Sequence, residues 1–308
     1  MILVVCPNPS VDTFMKIDAF KPSAVNRALS EEHYPGGKGV HVALAIAEYG
    51  EQVCLLGFWG GPTGSWIKQQ CIAQGVECVG PVLTQLNRFC ITINQPGSFN
   101  ETELLGTGPL IQKEHLDECY KVFESKLSEA SIVVVSGSLP PQCPVDFYHN
   151  LIKRAHVRGR KCLIDTTGEV LKVALDAKPF GVHLNEQESQ QATGTSDIKG
   201  IVERLGDQIT LKIITQGAKG LFFAKYGDML HANVALDKVF STVGSGDCLM
   251  AGVAIAICKG YDNKKTAKLA VAFGAANCLR KELGMLFKKD IESLIPQVVV
   301  NKPSVQYG

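Results

Sequence analysis

The chain has no excess of charge. Its 31 Lys and Arg residues stand against 30 Asp and Glu, a formal net charge of +1, so no broad electrostatic surface is on offer to nucleic acid or membrane and any anion must be recognised locally. No apolar run approaches the ~20 residues of a membrane helix. The opening MILVVCPNPS lacks the basic segment and long apolar region of a secretory signal, and a soluble, cytoplasmic protein is expected. The 11 cysteines form no C-x-x-C pair; most sit in apolar runs such as ILVVC and QVCLLG, where they read as small buried hydrophobes in a reducing compartment. No internal repeat, low-complexity tract or linker interrupts the 308 residues, and 45% hydrophobic content is ample for a packed core.

What is present is alternation. ILVVC, VCLLGF, SIVVVSG, KCLIDT, GVHLN and LKIITQG are short apolar runs rich in β-branched residues, and they read as buried strands. Helical patterns lie between them, among them GVHVALAIAEYG, HLDECYKVFESKL, PVDFYHNLIKRAHVRG and KTAKLAVAFGAANCLRKEL. That order predicts right-handed β-α-β units and an α/β fold whose mostly parallel sheet is covered by helices on both faces. Residues 13–34 and about 84–106 depart from it: they alternate apolar and polar, as strands with one wet face do, and read as a small accessory sheet serving as a lid or a dimer surface.

Ligands of such sheets bind beyond the carboxyl ends of the strands. The segments found there are PNPSVD, PGGKG, SGSLPP, DTTGE, LNEQE and TQGAKG, with more Gly, Asn, Ser and carboxylate than chain reversal requires. In STVGSGDCLMAG, two glycines and an aspartate precede an apolar helical run. Asp247 is either a plain helix cap or a carboxylate facing a reacting group, with the Gly244, Ser245 and Gly246 amides cradling an oxyanion. In YPGGKGVHVALA, Lys38 opens a helix at its positive end, which calls for an anion or a sugar hydroxyl nearby unless the lysine is merely solvated. The spacing of a nucleotide P-loop is absent, and Leu249 breaks the dinucleotide fingerprint.

PNPSVD, VNRA, PGGKG, SGSLPP, DTTGE, NEQE and VGSGD occur in the order and approximate spacing of the ribokinase-like sugar kinases. Across residues 1 to about 295 the chain resembles the phosphofructokinase B family, in its 1-phosphofructokinase and tagatose-6-phosphate kinase branch. The resemblance implies a single three-layer α/β/α kinase domain over 1–308 with a β-sheet lid. It also implies phosphoryl transfer from ATP, with Mg²⁺, to a hydroxyl of a phosphorylated ketohexose.

Carried over residue by residue, it makes Asp247 the base and Gly244, Ser245 and Gly246 the anion hole. Asp12, Gly36 and Gly37 would bind sugar hydroxyls. Lys38 and Arg88, with Arg27 and Ser138, would hold the phosphate already on the substrate. Asn185 and Glu188 would order Mg²⁺ through water, although Asn followed three residues later by Glu is equally a capping box. Thr215, Gly217 and Gly220 would lie along the ATP site, and Asn277 near the adenine. His41 replaces the usual Asn after G-G-K-G and is expected to reshape sugar recognition; His183 and Leu184 replace Lys-Pro, and Cys248 replaces a small hydroxyl residue. A kinase of free sugars or nucleosides, and a sensor that has lost turnover, are the competing readings.

Overall fold

The computed structural model describes residues 1–95 and 102–303, so residues 96–101 of the expected lid segment lie outside the described residues. In chain order the strands are β1 (Ile2–Cys6), β2 (Ser10–Ile17), β3 (Ala28–Gly36), β4 (Val53–Gly57), β5 (Trp59–Gly60), β6 (Glu77–Val79), β7 (Val82–Leu83) and β8 (Arg88–Asn94). They continue as β9 (Thr102–Leu105), β10 (Ile132–Ser136), β11 (Lys161–Asp165), β12 (Gly181–Asn185), β13 (Leu211–Thr215), β14 (Leu221–Lys225), β15 (Asp228–Asn233) and β16 (Val299–Asn301).

The large sheet has the order β16-β15-β14-β13-β12-β11-β10-β1-β4-β6. Its strands pair in parallel from β6 to β13, and β14 to β16 add an antiparallel margin. Because successive side chains of a strand face opposite ways, β1 supplies two cores at once. Ile2, Val4 and Cys6 pack with the helices Lys38–Tyr49, Ser245–Cys258 and Asn263–Cys278. Leu3 and Val5 pack with Lys113–Leu127, Phe147–Val157 and Gly168–Leu175. This is the expected three-layer α/β/α arrangement, and it explains why ILVVC tolerates no polar residue. Among the described residues no helix is long and apolar enough to cross a membrane.

The accessory sheet has the order β3-β2-β8-β9. Its β2 begins at Ser10, directly after the carboxyl end of β1, and β3 runs on to Gly36, so both strands extend beyond the expected 13–34. The lid therefore grows out of the mouth of the large sheet. The chain leaves β1 toward β4 on one side, while β10 to β13 fill the other, which puts a topological switch point between β1 and β10. Asn8 follows β1 and Ser138 follows β10; the Asn8 side-chain amide donates to Ser138 Oγ at 3.5 Å.

Candidate active site

Asp247 is not a helix cap. Gly244 takes the capping position of the helix Ser245–Cys258 with φ +83°, and no side chain caps the helix. A left-handed φ favours glycine, and space demands it as well: a Cβ on Gly244 would fall 2.5 Å from Gly284 Cα. A Cβ on Gly246 would come within 3.0 Å of His183 Cε1. Uncapped helix amides suit a bound oxyanion. One of the three expected amides is already spent, because the Ser245 N–H donates to the Thr242 carbonyl at 3.1 Å.

The Asp247 carboxylate turns instead to His41, whose Nδ1 lies 2.8 Å from Oδ2. On the other side of the ring, Nε2 lies 3.3 Å from Asp12 Oδ2, within ion-pair reach but off the line of a good hydrogen bond. Asp12 also accepts from Ser10 Oγ at 2.6 Å. Burial would raise the Asp12 carboxyl, but His41, Ser10 and the charge of Arg88 together hold it below the ordinary range. Gly36 is what leaves room for that carboxylate, since a Cβ there would land 1.9 Å from Asp12 Cγ. Gly37, with φ +98°, starts the helix Lys38–Tyr49.

Lys38 points to acids. Its Nζ lies 2.9 Å from Asp165 Oδ1 and 3.6 Å from Glu188 Oε1. Burial opposes both charges of the first pair, yet Lys38 and His183 hold Asp165 well below the usual carboxylate range, and the carboxylates push Lys38 up. His183 approaches Asp165 Oδ1 to 3.3 Å through Nδ1 and Thr215 Oγ1 to 3.1 Å through Nε2. Lys38 therefore belongs to an acid-lined cluster and was expected beside Arg88. Arg88 donates from Nε to the Asn8 carbonyl and from a terminal nitrogen to the Gly106 carbonyl, each at 3.2 Å, which brings it to Asn8 and Ser138. Arg27 is exposed in the β2–β3 connection and takes no part in this network.

Asn185 and Glu188 form the reciprocal capping box. Glu188 N–H donates to Asn185 Oδ1 at 2.8 Å, and Asn185 N–H to Glu188 Oε2 at 2.9 Å. Among the described residues no group of three His, Cys, Asp or Glu side chains could hold a metal ion. Gly217 has φ +52° with open space around it, as an approach to a ligand requires, whereas Gly220 answers to packing: a Cβ there would lie 2.2 Å from the Ala232 carbonyl. Asn277, expected near adenine, is 1% exposed and donates to the Met285 carbonyl at 2.9 Å. Through that bond it braces the segment that carries Gly284.

Sequence reasoning passed over Asp165 and Asn8 as site residues and left His183 without a role. The signal for Asp165 was there: a carboxylate closing the apolar run KCLID must meet a cation if it is buried.

The model of the pfkB family of carbohydrate kinases matches residues 7–291. The chain belongs to that family. Among solved structures, this carbohydrate kinase is 26% identical to a Staphylococcus aureus protein described as a phosphofructokinase, with a TM-score of 0.81 and 98% of each chain covered. It is 20% identical to Escherichia coli phosphofructokinase-2 in complex with fructose-6-phosphate, at TM-score 0.86 over 96% of this chain and 98% of that one. It is 18% identical to Arabidopsis thaliana ribokinase complexed with ribose and ATP, at TM-score 0.74 and the same coverage. The ribokinase-like fold of the kinase follows from these likenesses.

Proposed function

We propose that this kinase transfers the γ-phosphate of ATP to a hydroxyl of a ketohexose phosphate, giving the bisphosphate; fructose 1-phosphate, tagatose 6-phosphate and fructose 6-phosphate are the candidate acceptors. The observation that carries the reading is the Arg88–Asn8–Ser138 group at the switch point, close enough to Asp12 for the Arg88 charge to act on its carboxyl. A guanidinium and a hydroxyl can hold a phosphate through charge-assisted bonds that a neutral sugar cannot make. Asp12, Gly36 and Gly37 would read the hydroxyls, and Asp247 would take the proton of the attacking one. The open amides at the start of the helix Ser245–Cys258 would hold the transferring phosphoryl group. Thr215 and Gly217 would line the ATP.

Mg²⁺ brought by ATP would neutralise phosphate charge as it is transferred, with Asn185 and Glu188 meeting it through water. Exposed Leu29, Phe89, Leu104 and Leu105 on the lid strands support a homodimer formed through the lid.

The test is an ADP-release assay across the three ketohexose phosphates, free fructose, ribose and a nucleoside. Turnover is expected with one of the phosphosugars and little with the rest. Faster turnover of a free sugar or nucleoside would replace the reading, and ATP binding without ADP release on any acceptor would favour a sensor.

A further inference from the structure

A carboxylate can only accept hydrogen bonds, and an imidazole nitrogen donates only if it carries a proton. The two nitrogens of His41 face two carboxylates, at 2.8 Å to Asp247 and 3.3 Å to Asp12. A neutral ring would set a lone pair against one of them. The ring is also confined: it is 3% exposed, a Cβ on Gly284 would fall 2.1 Å from His41 Cδ2, and one on Gly244 would fall 3.3 Å from Nδ1. Two glycines from separate loops thus shape a slot in which the imidazole bridges the acids.

We propose that His41 is a positioning residue, held as an imidazolium that fixes the Asp247 and Asp12 carboxylates relative to one another and leaves Asp247 Oδ1 as the oxygen for the acceptor hydroxyl. This rests on the kinase reading of Asp247 and Asp12. In the reaction the hydroxyl proton passes to Asp247, because His41 has no vacant nitrogen. The new O–P bond forms as the bond from the γ-phosphorus to its bridging oxygen breaks, and ADP leaves. Without a cation between them, two buried carboxylates converging on one sugar would repel, and one would take up a proton and cease to accept.

The surroundings agree. The charged groups facing His41 are Asp12 on β2, Asp247 on the helix Ser245–Cys258 and Glu103 on β9, whose carboxyl is raised by burial and by the charges of Asp12 and Asp247. Arg88 on β8 acts on Asp12, and Lys38, on the same helix as His41, feels Asp247. Burial alone would strip the His41 proton, but the bonds and charges of the two aspartates outweigh it and push the group up to about 10.

The experiment has two arms on the full chain. The first is ¹⁵N NMR of the histidine rings between about pH 6 and 9, with His41 assigned by its disappearance in His41→Gln. Both nitrogens should remain protonated throughout; a neutral ring at pH 7 would overturn the proposal, and this reading needs no turnover. The second compares His41→Gln and His41→Asn, both neutral amides, with the parent. Loss of aligned carboxylates should lower kcat by about ten- to a hundredfold. It should also move the acid limb of kcat/KM to higher pH, while the KM for ATP stays close to the parent's. An unchanged kcat and acid limb in folded variants would make His41 a space-filling residue and sink the idea. Absence of kinase activity in the parent would defeat the proposed function, leaving the first arm to decide the state of the ring.

Discussion

The site contains two buried aspartate–histidine pairs, and they are built for different ends. Asp165 meets His183, but it also meets Lys38, and the far nitrogen of His183 meets the Thr215 hydroxyl. That ring has one hydrogen bond, at the Thr215 hydroxyl, and lies within ion-pair reach of Asp165, where the lysine supplies the balancing charge. Asp247 meets His41, whose far nitrogen meets a second carboxylate and no lysine. There the ring itself must be the cation. The first pair orders a cluster around a fixed charge; the second links an acid of the lid strand β2 to one at the start of a core helix.

The sharpest way to break this contrast is Asp247→Asn. If Asp247 is the base, kcat should fall by the ~10²–10⁴-fold typical of lost general-base catalysis, while ATP binding holds. Asp165→Asn should leave a base in place, so near-parent turnover in Asp247→Asn together with collapse in Asp165→Asn would reverse the roles assigned to the two pairs.

Arg88 and Lys38 come next, since two cations expected to share one phosphate have different partners: Arg88 the Asn8 and Gly106 carbonyls, Lys38 the Asp165 and Glu188 carboxylates. Arg88→Ala should raise the KM for the phosphosugar by about one to two powers of ten, the worth of a charged hydrogen bond or two, with the KM for ATP unchanged. Lys38→Ala should act mainly on kcat, because its ammonium sits with Asp165 and Glu188. Steady-state kinetics with each substrate varied would show it, and equal effects of both variants on the phosphosugar KM would restore the shared clamp.

Stability against pH separates the pairs again. Asp165 is held below its ordinary value, so its contribution is present above the unfolded value of ~3.9 and is lost as pH falls through the folded one. His41 is raised to about 10, so its contribution is complete below the unfolded value of ~6.5 and fades as pH rises toward 10. Melting curves should therefore show Asp165→Asn flattening the acid side of the parent profile and His41→Asn the alkaline side. The opposite pattern would mean the charges are misassigned.

Much of this was legible in the sequence because it is local. ILVVC can only be a strand buried on both faces, and GSGD before an apolar helix presents its amides and its acid together. The order of the glycine-rich turns carried the family. What was not legible depends on pairings across long separations. Lys38, at the start of the helix after β3, meets Asp165, at the end of β11, across 127 residues of sequence, and nothing in PGGKG names the partner. His41 shared a helical face with Lys38, yet its two acids come from β2 and from a helix some two hundred residues onward. Gly284 gave no signal, because its role is an absent side chain against a ring contributed by another segment.

The smallest expected effect belongs to Glu188, which touches the Asp165 cluster through Lys38 while capping its own helix. Glu188→Gln keeps an oxygen to accept the Asn185 N–H and removes only the charge. If capping is its whole task, activity, melting temperature and Mg²⁺ requirement should all stay put. If the charge helps orient hydrated Mg²⁺, the concentration for half-maximal activity should rise by roughly three- to tenfold at constant melting temperature, because a contact through water is worth less than direct ligation. A shift in the phosphosugar KM instead would mean that Glu188 acts by holding Lys38, and would tie the acid cluster back to the sugar side of the site.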